Sequence, residues 1–225
     1  GRFPGKFNQL IENVGDNSIV FEKEPDAAEL KTRFNINGNP VILYTGTFEH
    51  YQGLGLLIDA SKTVLEKRDD VTFLVVGGKP LQVKEYRARA EEAGVAKNFI
   101  FTGQRPPEEI PVFMNMAQVL ASPRIEGTNT PLKIYSYLRS GIPIVATDLT
   151  THTQVLNDDV AVLTETVPEA FGKGLLRALE DENYVETLVG KARELSDAEY
   201  SYDAYIRKTK DTYGFLEDHM KEHRN

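Results

Sequence analysis

The stretch that decides the fold is residues 124–147, which read RIEGTNTPLKIYSYLRSGIPIVAT. It predicts a loop, a helix and a buried strand in succession. Thr130 is a good N-cap, and Pro131 suits the first helical position because its missing N–H is not needed there. Gly141 is typical of a residue that ends a helix, and a strand is predicted after it at 144–146.

The loop before this helix has the composition of an anion site. Hydrogen-bonding side chains stand at Thr128, Asn129 and Thr130, next to the small residue Gly127. Lys133 lies in the first helical turn, where a cation opposes the helix dipole unless an anion is also bound. Proteins hold phosphate without a metal through such N–H groups, hydroxyls and ammonium groups. The alternative that this stretch alone leaves open is an ordinarily capped helix with a surface lysine.

Short apolar stretches alternate with amphipathic ones along the rest of the chain. The apolar stretches read as strands buried on both faces, which is typical of a parallel, doubly wound sheet. Six strands are predicted, at 41–44, 71–76, 99–102, 118–121, 144–146 and 160–163. Helices are predicted at 26–34, 53–68, 81–93, 107–116, 131–140, 168–180, 184–195 and 202–220. The predicted fold class is therefore α/β, with a mainly parallel six-stranded sheet and extra C-terminal helices.

We expect a single domain over residues 1–225. It divides into a lead-in segment at 1–25, with a short strand candidate at 9–14, an α/β core at 26–165 and C-terminal helices at 166–225. The last helix carries a partly aromatic stripe, which either packs on its own domain or docks on something outside this chain.

Composition excludes several classes of function. With 40% apolar and 27% charged residues, the chain is a globular protein that can bury a core. The net charge of −8 argues against nucleic acid or an anionic membrane as the main partner. The absence of cysteine excludes disulfides, thiolate metal sites and cysteine nucleophiles. No apolar run approaches the roughly 20 residues of a membrane span, and no secretory signal is visible.

Ligands of doubly wound sheets bind beyond the carboxyl ends of the strands. The residues that follow the predicted strands there are 46–53, 77–80, 103–106, 124–130 and 148–153. The loop before the central helix is one of these, so its position favours the phosphate interpretation.

Four motifs follow one another in a recognisable order: YTGTFEHYQG at 44–53, VVGG at 75–78, FTG at 101–103 and PLKIYSYLRSGIPIVA at 131–146. Together they resemble the donor-binding, C-terminal domain of a GT-B glycosyltransferase of the retaining family 4 type, also described as glycosyl transferases group 1. No single motif is specific, but their order and spacing are, and the resemblance covers nearly the whole chain from residue 11 onward.

The resemblance implies a Rossmann-like domain that binds a nucleotide-diphosphate sugar. The whole enzyme would transfer the sugar to an acceptor with retention at the anomeric carbon, with no metal and no cofactor other than the donor substrate. The implied partners are the nucleotide-sugar and an N-terminal acceptor-binding domain of the same parent protein. We expect a cytoplasmic protein, or one held at the membrane periphery through that other half.

The resemblance also implies a set of site residues. The diphosphate would lie against the first glycine loop and the start of the central helix, with the loops after Gly77 and Gly103 facing the base and ribose. Catalytic roles fall on Glu126 and Lys133. The implied donor-binding residues are Gly46, Thr47, Gln52, Gly103, Arg105, Gly127, Thr128, Asn129, Thr130, Leu132 and Ser136. Residues that would bind a metal are not expected.

The chain departs from the family's pattern at charged positions. The family usually has an arginine just after the first glycine and a lysine before the next, where this chain has Thr47 and Gln52. The second glutamate of the family's Glu-x7-Glu motif is replaced by Ser136. Thr128 stands eight residues earlier, and the nearest acid is Glu126.

Three other cations are available to compensate, at Arg105, Arg124 and Lys133. A lost charge-assisted contact costs about 1.5–3 kcal/mol, so without compensation the activity would be weak. Arg105 itself reads either as a ligand on the base side or as an exposed charge.

Three hypotheses of function follow. The first is a glycosyltransferase donor-binding domain that is inactive in isolation. The second is a non-catalytic nucleotide-sugar-binding or interaction module, suggested by Thr47, Gln52 and Ser136. The third is a GT-B sugar-nucleotide epimerase, which we rank lower because the Thr-Pro-Leu-Lys helix resembles the transferase pattern.

Overall fold

The computed structural model describes Gln9, Ile11, residues 26–36 and residues 38–222. The strand predicted at 9–14 and most of the lead-in segment lie outside these residues.

A six-stranded sheet forms the centre of the described part of the chain, and all of its strands are parallel. The strands are β1 (Val41–Thr45), β2 (Thr72–Val76), β3 (Phe99–Gly103), β4 (Val119–Ser122), β5 (Ile144–Thr147) and β6 (Val162–Thr164). Their order across the sheet is β3-β2-β1-β4-β5-β6. The predicted fold class is confirmed, and each strand lies within two residues of its predicted ends.

Helices flank this sheet and follow it. Those in the described residues are α1 (Ala27–Arg33), α2 (Leu54–Leu65), α3 (Pro80–Glu92), α4 (Ile110–Asn115), α5 (Lys133–Ser140), α6 (Thr150–Thr153), α7 (Pro168–Glu180), α8 (Glu182–Glu199) and α9 (Tyr202–Glu222). Short 3₁₀ turns lie at His50–Gln52, Ala96–Asn98 and Pro107–Glu109.

Both faces of the sheet are covered, which explains why its strands are apolar apart from threonine and serine residues near their ends. In β1, Ile42 and Tyr44 belong to an apolar cluster shared with α2 and α7. Val41 and Leu43 belong to a second cluster, shared with α5 and α8. Because successive side chains of a strand point to opposite faces, the middle of a strand between two such clusters is apolar on both faces.

The strand order reverses between β1 and β4, and this reversal positions the site. The chain runs outward from β1 to β3 and then returns to place β4 beside β1. The helix after β1 packs in the first cluster and the helix after β4 packs in the second. The two connections therefore diverge and leave a crevice at the carboxyl ends of these strands, where doubly wound folds bind ligands.

Gly53 allows the two walls of the crevice to touch. Its φ is +74°, and a Cβ at this position would lie 1.8 Å from the carbonyl oxygen of Pro123. The N–H of Ile125 donates to the carbonyl of Tyr51 at 3.0 Å. Glycine is required where the backbone is left-handed and another backbone approaches this closely, so the loops after β1 and β4 meet at this residue.

The predicted start of the central helix is wrong. α5 begins at Lys133, with Leu132 at the cap position and no side-chain cap. The hydroxyl of Thr130 instead donates to Gln154 Oε1 at 3.5 Å, and Gln154 Nε2 donates to the carbonyl of Thr128 at 3.3 Å. These bonds tie the loop to the end of α6, a short helix where the sequence predicts only a loop, and the helical turn starts later as a result.

Candidate functional site

Lys133 points from the start of α5 to the carboxyl end of β1. Its Nζ donates to the carbonyl of Thr45 at 3.0 Å. The same atom lies 4.4 Å from the centre of the Tyr44 ring and 5.8 Å from that of Tyr137. It would be 3.9 Å from a Cβ built on Gly46, whose φ of +146° suits glycine. The ammonium therefore lies beside the first glycine of the crevice.

The surroundings of Lys133 disfavour its charge. Burial is the main cause that lowers its pKa from 10.5 to about 7, and repulsion from Arg124 adds to it. Within the residues that the structure describes, no carboxylate lies at ion-pair distance from either cation. An anion in the crevice would reverse this effect, because an opposite charge favours the protonated form.

Arg124 is the second cation of the crevice and is almost fully buried, with 4% of its surface exposed. Its Nη1 donates to the carbonyl of Asn129 at 2.6 Å, and Nη2 lies 3.5 Å from Asn129 Oδ1. Its guanidinium carbon lies 5.0 Å from the centre of the Tyr51 ring, on the opposite wall. Its Nε is buried and has no hydrogen-bond partner in the described structure.

His152 joins the ends of β4 and β5 beneath the two cations. It is fully buried, with Nε2 2.9 Å from Ser122 Oγ and Nδ1 2.8 Å from the carbonyl of Thr147. A carbonyl only accepts, so Nδ1 carries the hydrogen and Nε2 accepts from the serine. Burial, with a smaller contribution from the two nearby cations, lowers the pKa of His152 to about 4, so the ring is neutral. The Thr147 hydroxyl in turn donates to the carbonyl of Arg124 at 2.5 Å.

Sequence reasoning did not single out His152 as a support of the site. It stands in one of the segments that follow a strand, at 148–153, and a histidine between two threonines at such a place was the available signal.

The loop between Arg124 and α5 is exposed at its tip. Gly127, Thr128 and Asn129 are exposed, and the Glu126 carboxylate is 66% exposed and 3.9 Å from Nδ1 of His50. Glu126 is therefore placed at the mouth of the crevice rather than inside it. Leu132, at the cap position of α5, exposes 65% of its surface there.

Three other predicted residues lie on the elements that form the two walls of the crevice. Thr47 is exposed just after β1, and its carbonyl accepts a hydrogen bond from the Tyr44 hydroxyl at 2.6 Å. Gln52 is partly buried in the 3₁₀ turn before Gly53. Ser136 is partly buried on α5, one turn after Lys133.

Gly103 is the last residue of β3, two strands away from β1, and Arg105 lies in the segment that follows it. Arg105 donates through Nε and Nη2 to the Glu109 carboxylate, at 2.6 and 2.7 Å. Its side chain is only 13% exposed, so it is not the exposed charge that the sequence left open. Because Glu109 balances its charge, Arg105 does not replace the missing cations of the crevice.

Among the described residues, no group of His, Cys, Asp or Glu side chains is arranged to hold a metal ion. None of the described helices is both long enough and apolar enough to cross a bilayer.

Comparison with known proteins relates this chain to a protein family. The family described as "Glycosyl transferases group 1" matches residues 26–195. A curated relative, 2-deoxystreptamine glucosyltransferase of Streptomyces kanamyceticus, is 37% identical over 112 residues, which cover 45% of this chain and 29% of the relative. The chain spans less than half the length of the curated relatives that it matches.

Two solved structures share the fold. Anabaena Alr3699/HepE in complex with UDP-glucose aligns with a TM-score of 0.72 at 18% identity, over 85% of this chain and 52% of that one. The C-terminal domain of a glycosyl transferase group 1 family protein (LpcC) from Francisella tularensis aligns with a TM-score of 0.68 at 19% identity. That alignment covers 83% of this chain and 98% of the other. The match over residues 26–195 spans most of the sequence, and the chain belongs to the glycosyl transferases group 1 family.

Proposed function

We propose that the chain is the nucleotide-sugar-binding domain of a glycosyltransferase that transfers its sugar with retention and without a metal ion. The observation that carries this proposal is the pair of cations, Arg124 and Lys133, at the crevice between β1 and β4. Arg124 is buried and Lys133 is partly buried, and neither has a carboxylate partner in the described structure. Such an arrangement is unfavourable until an anion is bound.

The diphosphate of a nucleotide-sugar fits this arrangement. Lys133 is the first residue of α5, so its ammonium extends from the N-terminus of a helix, and a helix N-terminus favours negative charge. When the bond to the sugar breaks, negative charge grows on the departing diphosphate, and fixed positive groups stabilise it without reorganising. The proposal is metal-independent because the chain's own side chains supply this positive charge.

The remaining predicted residues have places around such a donor. The exposed loop at 126–129 would face the sugar, with Glu126 near its hydroxyls. The exposed Leu132 offers an apolar contact at the edge of the same pocket. The segments after β2 and β3, including Gly103, would face the base and ribose.

Calorimetric titration of the chain with a panel of UDP- and GDP-sugars tests the proposal. We expect binding to at least one of them, and a Lys133→Met variant should lose about tenfold or more in affinity. The matched control is Lys173→Met, whose lysine is exposed on α7 and paired with Glu169 at 2.6 Å. An absence of binding at millimolar concentrations across the whole panel would contradict the proposal.

A non-catalytic nucleotide-sugar-binding module is the second candidate, favoured by the uncharged residues Thr47, Gln52 and Ser136 in the crevice. Restoring arginine, lysine and glutamate at these positions in the longer parent protein distinguishes the two. A large gain in turnover indicates a degraded transfer site, whereas a loss means that the present residues suit their own donor.

A further inference from the structure

Among the residues that the structure describes, the positive charge of this crevice comes from one wall. The family resemblance expects an arginine and a lysine from the loop after β1, at positions where this chain has Thr47 and Gln52. The two cations that the structure brings there, Arg124 and Lys133, both come from the connection between β4 and α5.

The Arg124 side chain extends toward the loop after β1, where the cations expected from the resemblance are missing. Its guanidinium lies 5.0 Å from the Tyr51 ring, directly beside Gln52 in the sequence. The backbone bond from Ile125 to Tyr51 fixes this approach. A guanidinium is therefore held next to the position where the resemblance expects a lysine.

Arg124 also differs from an arginine that serves packing alone. It is 4% exposed, its partners are a carbonyl and an amide oxygen of Asn129, and its Nε has no partner among the described residues. Arg105 shows the contrast, because a bidentate bond to Glu109 balances its charge. Arg124 also repels the Lys133 ammonium, which indicates that the two cations lie near each other in the crevice.

We propose that Arg124 is a diphosphate-binding residue, and that its guanidinium charge replaces the cations missing from positions 47 and 52. The inference rests on the proposed function, since it assumes that a nucleotide-sugar binds in this crevice. The two bonds to Asn129 hold the guanidinium in place for this role and position the loop above it.

Two substitutions distinguish a role of the Arg124 charge in binding from a role of Arg124 in holding Asn129 in place. Arg124→Gln removes the charge but keeps an amide that can donate to the Asn129 carbonyl. Arg124→Lys keeps the charge but loses the forked geometry. If charge decides, the glutamine variant should bind the nucleotide-sugar about ten- to hundredfold more weakly, and the lysine variant should stay within about threefold of the wild type.

The decisive variant moves the charge to the other wall. Gln52→Lys added to Arg124→Gln should recover at least about tenfold of the lost affinity, because it places a cation where the resemblance expects one. Affinity for the unphosphorylated nucleoside should be the same in all variants. Arg89→Gln is the matched control, since that arginine pairs with Asp59 at 2.8 Å, outside the crevice.

The measurement is calorimetric titration of the whole chain at pH 6 with the nucleotide-sugar that the wild type binds best. At this pH Lys133 is mostly protonated already, since its pKa is about 7, so the loss of repulsion from Arg124 changes little. An unchanged affinity in Arg124→Gln, or no recovery with Gln52→Lys, overturns this inference and leaves the proposed function standing. If the wild type binds no nucleotide-sugar at all, the proposed function fails first.

Discussion

At the scale of single residues, the candidate site depends on Lys133, whose charge changes with pH near neutrality. Lys133 contacts two aromatic rings and one carbonyl, and a second cation repels it. Its protonation state in the empty crevice therefore depends on pH near neutrality, whereas that of a surface lysine does not.

Nucleotide-sugar binding should become weaker as the pH rises above 7. The free chain holds Lys133 with a pKa of about 7, and a bound diphosphate raises that pKa, so binding takes up a proton. We expect Kd to be nearly constant below about pH 6 and to approach a tenfold rise per pH unit above about pH 8. Calorimetry in buffers of different ionisation enthalpy measures the proton uptake directly.

The groups around Lys133 do not produce this dependence themselves. His152 has a pKa of about 4, the pKa of Tyr137 is raised to about 12 by burial, and burial also raises the pKa of Tyr44. A nucleotide-sugar has no phosphate that titrates near neutral pH, so it is a better probe than the free nucleoside diphosphate. Lys133→Arg should flatten the profile, and a profile that stays steep in this variant would show that another group titrates.

His152 should contribute to stability through the two groups that it pairs. Replacing it by leucine leaves the Ser122 hydroxyl and the Thr147 carbonyl buried without these partners, which costs about 2–4 kcal/mol of unfolding free energy. The control His50→Leu alters an exposed side chain and should stay within about 0.5 kcal/mol. Urea unfolding at pH 7 measures both variants.

The same histidine should make the fold sensitive to acid. Its folded pKa of about 4 lies below the value of 6.5 expected in the unfolded chain, so the unfolded state binds the proton more readily. Stability is therefore retained above pH 6.5 and lost as the pH falls toward 4, by about 2 kcal/mol between pH 7 and pH 5. Comparing the slopes of wild type and His152→Leu isolates this contribution, and equal slopes would contradict it.

At the scale of elements, the contact between the crevice loops depends on Gly53. An alanine there would force its Cβ against the Pro123 carbonyl and hold a non-glycine residue at φ +74°. We expect Gly53→Ala to lower the unfolding free energy by about 2–4 kcal/mol, measured by urea titration. The matched control is Gly190→Ala in α8, where nothing lies within 4 Å and the helix should gain up to about 1 kcal/mol.

The elements that the sequence predicts well are those whose signal is local. Strands between two apolar clusters show up as short runs such as 41–44, because neither face leaves room for a polar residue. The start of α5 was missed because Thr130, a good cap by local rules, bonds instead to Gln154 on α6. That competition joins residues 24 apart, and no local rule contains it.

The predictions of site residues also divide into those that depend on local sequence and those that depend on contacts made by the fold. Lys133 was predicted from a local feature, its place at the start of a helix. The pairing of Arg105 with Glu109 and the reach of Arg124 across to Tyr51 depend on which charges the fold brings together. For this reason the sequence named three compensating cations and the structure retains two of them at the crevice.

At the scale of the whole molecule, the described crevice is open on one side. The loop before α5 is exposed at residues 127–129, and the Glu126 carboxylate is 66% exposed. The chain also spans only 29% to 47% of the lengths of the curated relatives considered. We expect the parent protein to close this crevice with a second domain that binds the acceptor.

The isolated chain should therefore bind a nucleotide-sugar but transfer little of it. Fixed charges stabilise a departing diphosphate most strongly where water is excluded, and in the open crevice a bound donor would itself remain exposed to water. We expect Kd for the nucleotide-sugar to be tighter in the parent protein than in this chain, and transfer to an acceptor to require the parent. Parallel calorimetry and product analysis on both proteins, with Lys133→Met as the inactive reference in each, measure the two effects separately. Transfer by the isolated chain at the parent's rate would contradict this expectation, because the cations and the α5 N-terminus would then suffice without a second wall.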